Sequence, residues 1–232
     1  MYLNGLLLVS VILNFQTARF DLGNDLPFIL FLPTYAATAL YHGQVTLNPG
    51  QTLRAWLEEV EQFALHAYTL ALMKGDALPA PERQQIVQQL AAYTGLSERY
   101  IEQTNLRIHI HRFVKELLRD QRRTVGRLDT RFQGIDRDTA GETFEHDPSY
   151  SAIQGSYTAT LNDYVRNQLH FESDIAYEIL SGLYEQWDYS KHQNHYVNVA
   201  ETLREAMSKN PFLRVLVANG YYDLATPYFA TE

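Results

Sequence analysis

Apolar positions fall into two short continuous runs, one near each end, with periodic stretches between them. Leu6 to Leu13 is rich in Leu, Val and Ile and is bounded by Asn4-Gly5 and Asn14. A run of this length is too short to cross a bilayer and predicts a fully buried strand. Leu213-Arg214-Val215-Leu216-Val217-Ala218 predicts a second buried strand, which runs into Asn219-Gly220 and then Tyr221-Tyr222-Asp223. Between them the period is mostly helical. Leu26 to His42 is apolar and aromatic, with Pro27 and Pro33 breaking its beginning. A helix starting at Asn48-Pro49 would carry Leu53, Trp56, Leu57, Val60, Phe63, Ala64 and Ala67 on one face. It would end near Lys74-Gly75, a basic last turn followed by a terminating glycine.

Pro81 suits the first position of the next helix, with Ile86, Val87 and Leu90 facing inward and Gly95 closing it. Ser97 caps a short helix through Tyr100 and Ile101, and another is expected from about Leu106 to Arg119, burying Phe113, Val114, Leu117 and Leu118. From Arg122 to Pro148 periodicity fails and glycines recur, as in a lid or binding loop. Tyr150 to Leu169 is helical again, with Tyr157, Leu161, Tyr164 and Val165 on one stripe. Asn198-x-x-Glu201 approximates a capping box for a helix ending before Pro211, with Leu203 and Met207 buried.

The layout is strand, large helical block, strand: residues 1–25, 26–208 and 209–232. Two strands of this type need neighbours that the pattern does not supply, so the chain reads as the middle of a larger α/β unit.

Composition narrows the chemistry only modestly. A chain 46% hydrophobic and 20% charged excludes wholesale disorder, and a net charge of −8 argues against nucleic acid as the main partner. Nine basic residues lie between Arg107 and Arg137, but Glu116, Asp120, Asp129, Asp136 and Asp138 interleave them, as on a solvated, salt-bridged face. With no cysteine, disulfides, thiol nucleophiles and thiolate metal sites are all excluded. No Lys or Arg precedes Leu6, so the first apolar run lacks the basic start of a leader peptide. Sixteen Tyr fit core packing better than a ligand groove.

Asp223 is the strongest candidate for chemistry. It follows a core strand and a glycine turn, and ligands of α/β proteins bind outside the carboxyl ends of such strands. Asn219 and Thr226 are candidates either to hydrogen-bond its carboxylate or, equally, to stabilise the turn. Tyr221 and Tyr222 should alternate, one inward and one towards a cleft. The remaining candidates are weaker. His109 and His111, read as helical, point about 200° apart and cannot share a metal. His192 and His195 fall on a loop-like Gln193-Asn194, and His170 with Glu172 and Asp174 is no better.

Three segments resemble bacterial members of the serine carboxypeptidase family. They are Tyr2-Leu3-Asn4-Gly5-Leu6-Leu7-Leu8-Val9-Ser10, Asn14-Phe15-Gln16-Thr17-Ala18-Arg19-Phe20, and Val217-Ala218-Asn219-Gly220-Tyr221-Tyr222-Asp223-Leu224-Ala225-Thr226-Pro227. The resemblance implies an incomplete α/β-hydrolase core of two strands with a large, mainly helical cap inserted between them. It implies that Asp223 is the acid of a Ser-Asp-His triad that releases residues from peptide C-termini, with no metal or organic cofactor. None of the nine serines sits in a Gly-x-Ser-x-Gly frame, so the nucleophile is expected upstream of Met1 and the histidine downstream of Glu232. The chain alone is then expected to be inactive. Arg122, Arg123 and Arg127 are candidates to meet a peptide's terminal carboxylate. A periplasmic or secreted location is compatible with a leader preceding Met1. Two other readings stay open: a non-catalytic helical binding module, and an esterase or acyltransferase on the same scaffold.

Overall fold

A computed structural model describes residues 3–232. Tyr2, which opens the first segment of the resemblance, lies outside them. Strand β1 spans Gly5–Val9 and is followed by a long central helix, α1, over Leu26–Tyr41. Pro27 occupies its second position, where a missing N–H costs nothing. Pro33 was expected to break the helix but lies inside it. Phe31, Leu32, Tyr35, Ala36 and Ala39 around it are all essentially inaccessible to water. Burial on every side outweighs the one backbone bond that proline removes.

The next rod runs through α2, Leu53–Phe63, a π turn at Ala64–Tyr68, and α3, Thr69–Lys74. Trp56, Leu57, Val60 and Ala64 face inward as expected, but Ala67 is exposed and Tyr68 is buried in its stead. The π turn inserts one extra residue, so the inward stripe slips by one position. Helix α4, Ala80–Thr94, ends at left-handed Gly95, and α5, Glu98–Gln103, is capped by Ser97 accepting from the Tyr100 N–H.

Helix α6 is shorter than expected, Ile110–Glu116. Before it, Asn105 and Leu106 both take positive φ. Two buried tyrosines hold that bend: Tyr35 Oη donates to the Ile108 carbonyl at 3.0 Å and Tyr68 Oη to that of Leu106 at 2.5 Å. The aperiodic stretch contains one small antiparallel pair, β2, Thr124–Val125, with β3, Gln133–Gly134. Helix α7, Pro148–Asp163, continues through a π turn to Gln168, with Tyr157 and Tyr164 exposed. Helix α8 spans Ala200–Lys209. Leu203 is only half-buried and Met207 is exposed, because among the described residues no other helix packs closely over this face.

Strand β4, Arg214–Ala218, then pairs with β1 in parallel, Leu7 opposite Leu216 and Val9 opposite Ala218. Each strand thus supplies the other with one neighbour. Neither is buried as the sequence pattern predicts: Leu7, Val9 and Leu216 are 65%, 65% and 63% exposed. Parallel sheets ordinarily have both faces covered. Here one face carries bare leucine and valine, while Leu6, Leu8 and Val215 on the other are half-covered. The fold is mixed and helix-rich, with its core among the helices and the strand pair at its margin.

Candidate functional site

The turn after β4 is built from both strands. Asn219 Nδ2 donates to the Thr231 hydroxyl at 2.9 Å, to the Thr226 carbonyl at 3.3 Å and to the Val11 carbonyl at 3.4 Å, and its Oδ1 accepts from the Val11 N–H. Asn219 therefore fastens the exit of β1 to the end of the chain. It stabilises the turn and does not bond the Asp223 carboxylate, because its amide is engaged by the Thr231 hydroxyl and by the backbone of Val11 and Thr226.

Thr226 does bond that carboxylate. Asp223 Oδ1 accepts from the backbone N–H groups of Ala225 at 2.8 Å and Thr226 at 3.0 Å. Its Oδ2 accepts from Thr226 Oγ1 at 2.8 Å and from the hydroxyl of Ser10. An ionised carboxylate offers about four acceptor directions, so this one is fully bonded and fixed in orientation. Ser10 comes from the other strand. Its N–H makes the last rung of the pairing, to the Ala218 carbonyl at 2.9 Å, and its φ of 54° then swings the side chain onto Asp223. Sequence reasoning missed Ser10. The signal was there as the single polar residue in the apolar run from Leu6 to Leu13.

On its other side the turn is clamped by the irregular loop. Thr130 donates its N–H to the Tyr222 carbonyl, and Leu224 donates to that of Arg127, both at 2.9 Å. Leu224 is fully buried. Thr130 is itself held by α1, through the Thr38 hydroxyl at 2.7 Å and through His42 Nε2, 2.7 Å from its carbonyl. Burial holds His42 below the ordinary histidine range. Further along, Tyr228 Oη donates to Glu61 Oε1 at 2.7 Å, and Arg54 grips the same buried carboxylate at 2.6 and 3.1 Å. Burial and the bond to Glu61 raise the Tyr228 phenol well above its usual range. The two tyrosines are both half-buried and take different neighbours. Tyr221 packs edge-on against Tyr228, with ring centres 4.8 Å apart, whereas Tyr222 meets Tyr41 and lies 5.1 Å from the Arg131 guanidinium.

The histidine pairs behave differently from expectation. His109 is the N-cap residue of α6, its Nδ1 accepting from the His111 N–H, so the two rings stack with centres 5.2 Å apart. The 200° separation assumed a continuous helix, which the bend at Asn105 and Leu106 interrupts. The pair continues a column from Phe20 through to Phe144. Burial, followed by the neighbouring His111, pushes His109 down to about 4. His192 and His195 also come together, 5.3 Å apart on the surface loop. Among the described residues, no three His, Asp or Glu side chains form a metal-binding group, and no histidine hydrogen-bonds to Asp223. The arginines separate: Arg122 and Arg123 line a surface cavity of about 350 Å³ with Arg137 and Asp138, while Arg127 lies beside the acid turn, its Nε 4.0 Å from Asp147.

The Asp223 carboxylate is thus held in one orientation at the ends of two paired strands. No protein-family model, curated protein or solved structure matches the chain.

Proposed function

We propose that the chain is part of a serine carboxypeptidase-like peptidase in which Asp223 is the acid of the catalytic triad. The observation that carries this reading is the carboxylate of Asp223, held by four donors at the C-terminal ends of two parallel strands. The sequence resemblance around Asn4-Gly5 and Asn219-Gly220 supplies the family. In the proposed mechanism a serine attacks the scissile carbonyl and a histidine takes its proton. Asp223 holds that imidazole in the productive tautomer and stabilises its cation. Serine and histidine come from outside residues 1–232, and the chain order Ser, Asp, His is that of α/β-hydrolases.

The bare face of the strand pair supports the same reading. Leu7, Val9 and Leu216 need cover, and further strands and helices of an α/β-hydrolase core would provide it. The helices over residues 26–208 then form the cap, with the loop at Arg127–Thr130 joining cap to acid turn. A free-standing helical binding module is disfavoured by that exposed face. An esterase or acyltransferase on the same scaffold differs only in substrate.

The test is to join the chain to its neighbouring coding sequence and challenge the product with N-blocked dipeptides, simple esters and a fluorophosphonate probe. Probe labelling together with release of the C-terminal residue is expected. Labelling with ester cleavage alone would assign the esterase reading, and no labelling would reject the triad.

A further inference from the structure

We propose that Ser10 is a positioning residue for Asp223, its hydroxyl tying the carboxylate to the end of β1 and accepting the Thr226 proton when a histidine N–H arrives; this rests on the reading of Asp223 as triad acid. Three oxygens meet at this point: Ser10 Oγ, Thr226 Oγ1 and Asp223 Oδ2. Thr226 Oγ1 lies 2.8 Å from Oδ2 and 2.6 Å from Ser10 Oγ, and Ser10 Oγ also contacts Oδ2. The two hydroxyls bring two protons to three contacts, so one contact is always without a proton.

Two arrangements follow. In the first, both hydroxyls donate to Oδ2, which is then full, since Oδ1 already serves two backbone N–H groups. In the second, Thr226 rotates its proton onto Ser10 Oγ while Ser10 still donates to Oδ2. Each hydroxyl proton keeps an acceptor, and Oδ2 gains a free direction. An imidazole N–H can occupy that direction, the Thr226 bond to Oδ2 having been exchanged for one to Ser10 Oγ. The exchange needs only the rotation of a hydroxyl. Without a hydroxyl at residue 10, Thr226 and the imidazole would fill Oδ2, and no side chain of β1's exit would tie the carboxylate in place.

The backbone supports a specific use of serine here. Ser10 adopts φ 54°, a conformation that a residue with a Cβ resists and glycine adopts freely. A position selected for that turn alone would favour glycine. Strain of this kind points to a role for the side chain it aims. Ser10 is also exposed and Asp223 only half-buried, so a donor can approach from the open side. The charged groups packed near the turn, Arg127, Asp129 and Arg131, come from the clamping loop. Arg131 spends its guanidinium on Asp129, with contacts of 2.6 and 2.9 Å.

The test compares Ser10→Ala, Ser10→Gly and Ser10→Thr with wild type and Asp223→Asn in the complete enzyme. The readouts are kcat, KM and the acid limb of the kcat/KM profile. Loss of the hydroxyl should lower kcat about tenfold to a hundredfold with KM unchanged, in both the alanine and the glycine variant. The acid limb should stay in place, because Thr226 then donates to Oδ2 in place of Ser10 and the carboxylate keeps its number of donors. Threonine should restore most of kcat. Full activity in Ser10→Gly would overturn the proposal, since it would show that residue 10 serves only the turn. Unchanged kcat in Ser10→Ala, with Asp223→Asn inactive, would likewise remove Ser10 while leaving the triad reading intact. An active Asp223→Asn would instead remove the reading on which Ser10 depends.

Discussion

Replacing Lys115 by methionine should destabilise the whole irregular loop that clamps the acid turn. Lys115 stands on α6 and Asp136 just beyond β3, and their side chains are 3% and 2% exposed. The ammonium also donates to the Asp138 carbonyl at 2.8 Å. The carboxylate in turn accepts from the Thr124 hydroxyl at 3.0 Å and, more loosely, from the Glu145 N–H at 3.4 Å. Methionine fills the space of the lysine stem but leaves a buried carboxylate without its ammonium partner, facing only the His146 ring at 3.9 Å. Breaking such a pair from one side costs about 3–5 kcal/mol, a large share of the stability of an ordinary domain. Removing both charges in Lys115→Met with Asp136→Leu should recover most of that loss, because the desolvation penalty disappears with the charges. The pH dependence should separate the variants further. Burial pushes Asp136 up, but the bonds from Lys115 and Thr124 outweigh it and hold the carboxyl below its ordinary value of 3.8. The native contribution is therefore full above that value and lost as pH falls through the lower folded value. In Lys115→Met burial acts unopposed by the ammonium, so acidification towards pH 5 should stabilise the variant relative to wild type. Urea unfolding followed by fluorescence is suitable, since Trp56 is 7% exposed in the helical core. A loss below about 1 kcal/mol in Lys115→Met, or a double variant no better than the single, would refute the reasoning.

Two other perturbations probe the helical layer. His109 is held at about 4 by burial and His111, so the unfolded chain binds a proton below pH 6.5 that the folded chain refuses. Stability should fall between pH 6.5 and 4 and level off beneath, and His109→Phe, which keeps the ring column, should flatten that slope in urea titrations at pH 7.5 and 5. Gly95 closes α4 at φ 69°, and a Cβ there would lie 2.6 Å from that of Gln44. Gly95→Ala should cost about 1–3 kcal/mol, measured by the same unfolding assay.

What could be read from the sequence was mostly local. Gly75, Gly95 and Ser97 mark helix ends through their own backbone preferences and stand where expected, and Pro81 falls at the second position of its helix, one residue later than expected. The turn that carries Asp223 was legible for the same reason, as a strand followed by Asn219-Gly220. Features set by distant contacts were not. The bend that brings His109 onto His111 depends on hydroxyls of Tyr35 and Tyr68, far away in the chain. The π turn that exchanges Ala67 for Tyr68 leaves no periodic trace of its own. Strands of two residues, such as β2 and β3, are too short to show alternation. Ser10 and Asp223 are separated by more than two hundred residues, and only the pairing of β1 with β4 brings them together.

The most direct measurement is kcat for Asp223→Asn in the complete enzyme, beside a circular dichroism spectrum to confirm the fold. Asparagine keeps the size of the side chain but turns one acceptor into a donor, so the imidazole would be held in the wrong tautomer. A fall in kcat of about ten-thousandfold with KM nearly unchanged is expected if Asp223 is the triad acid. A variant that is folded and as fast as wild type would contradict it.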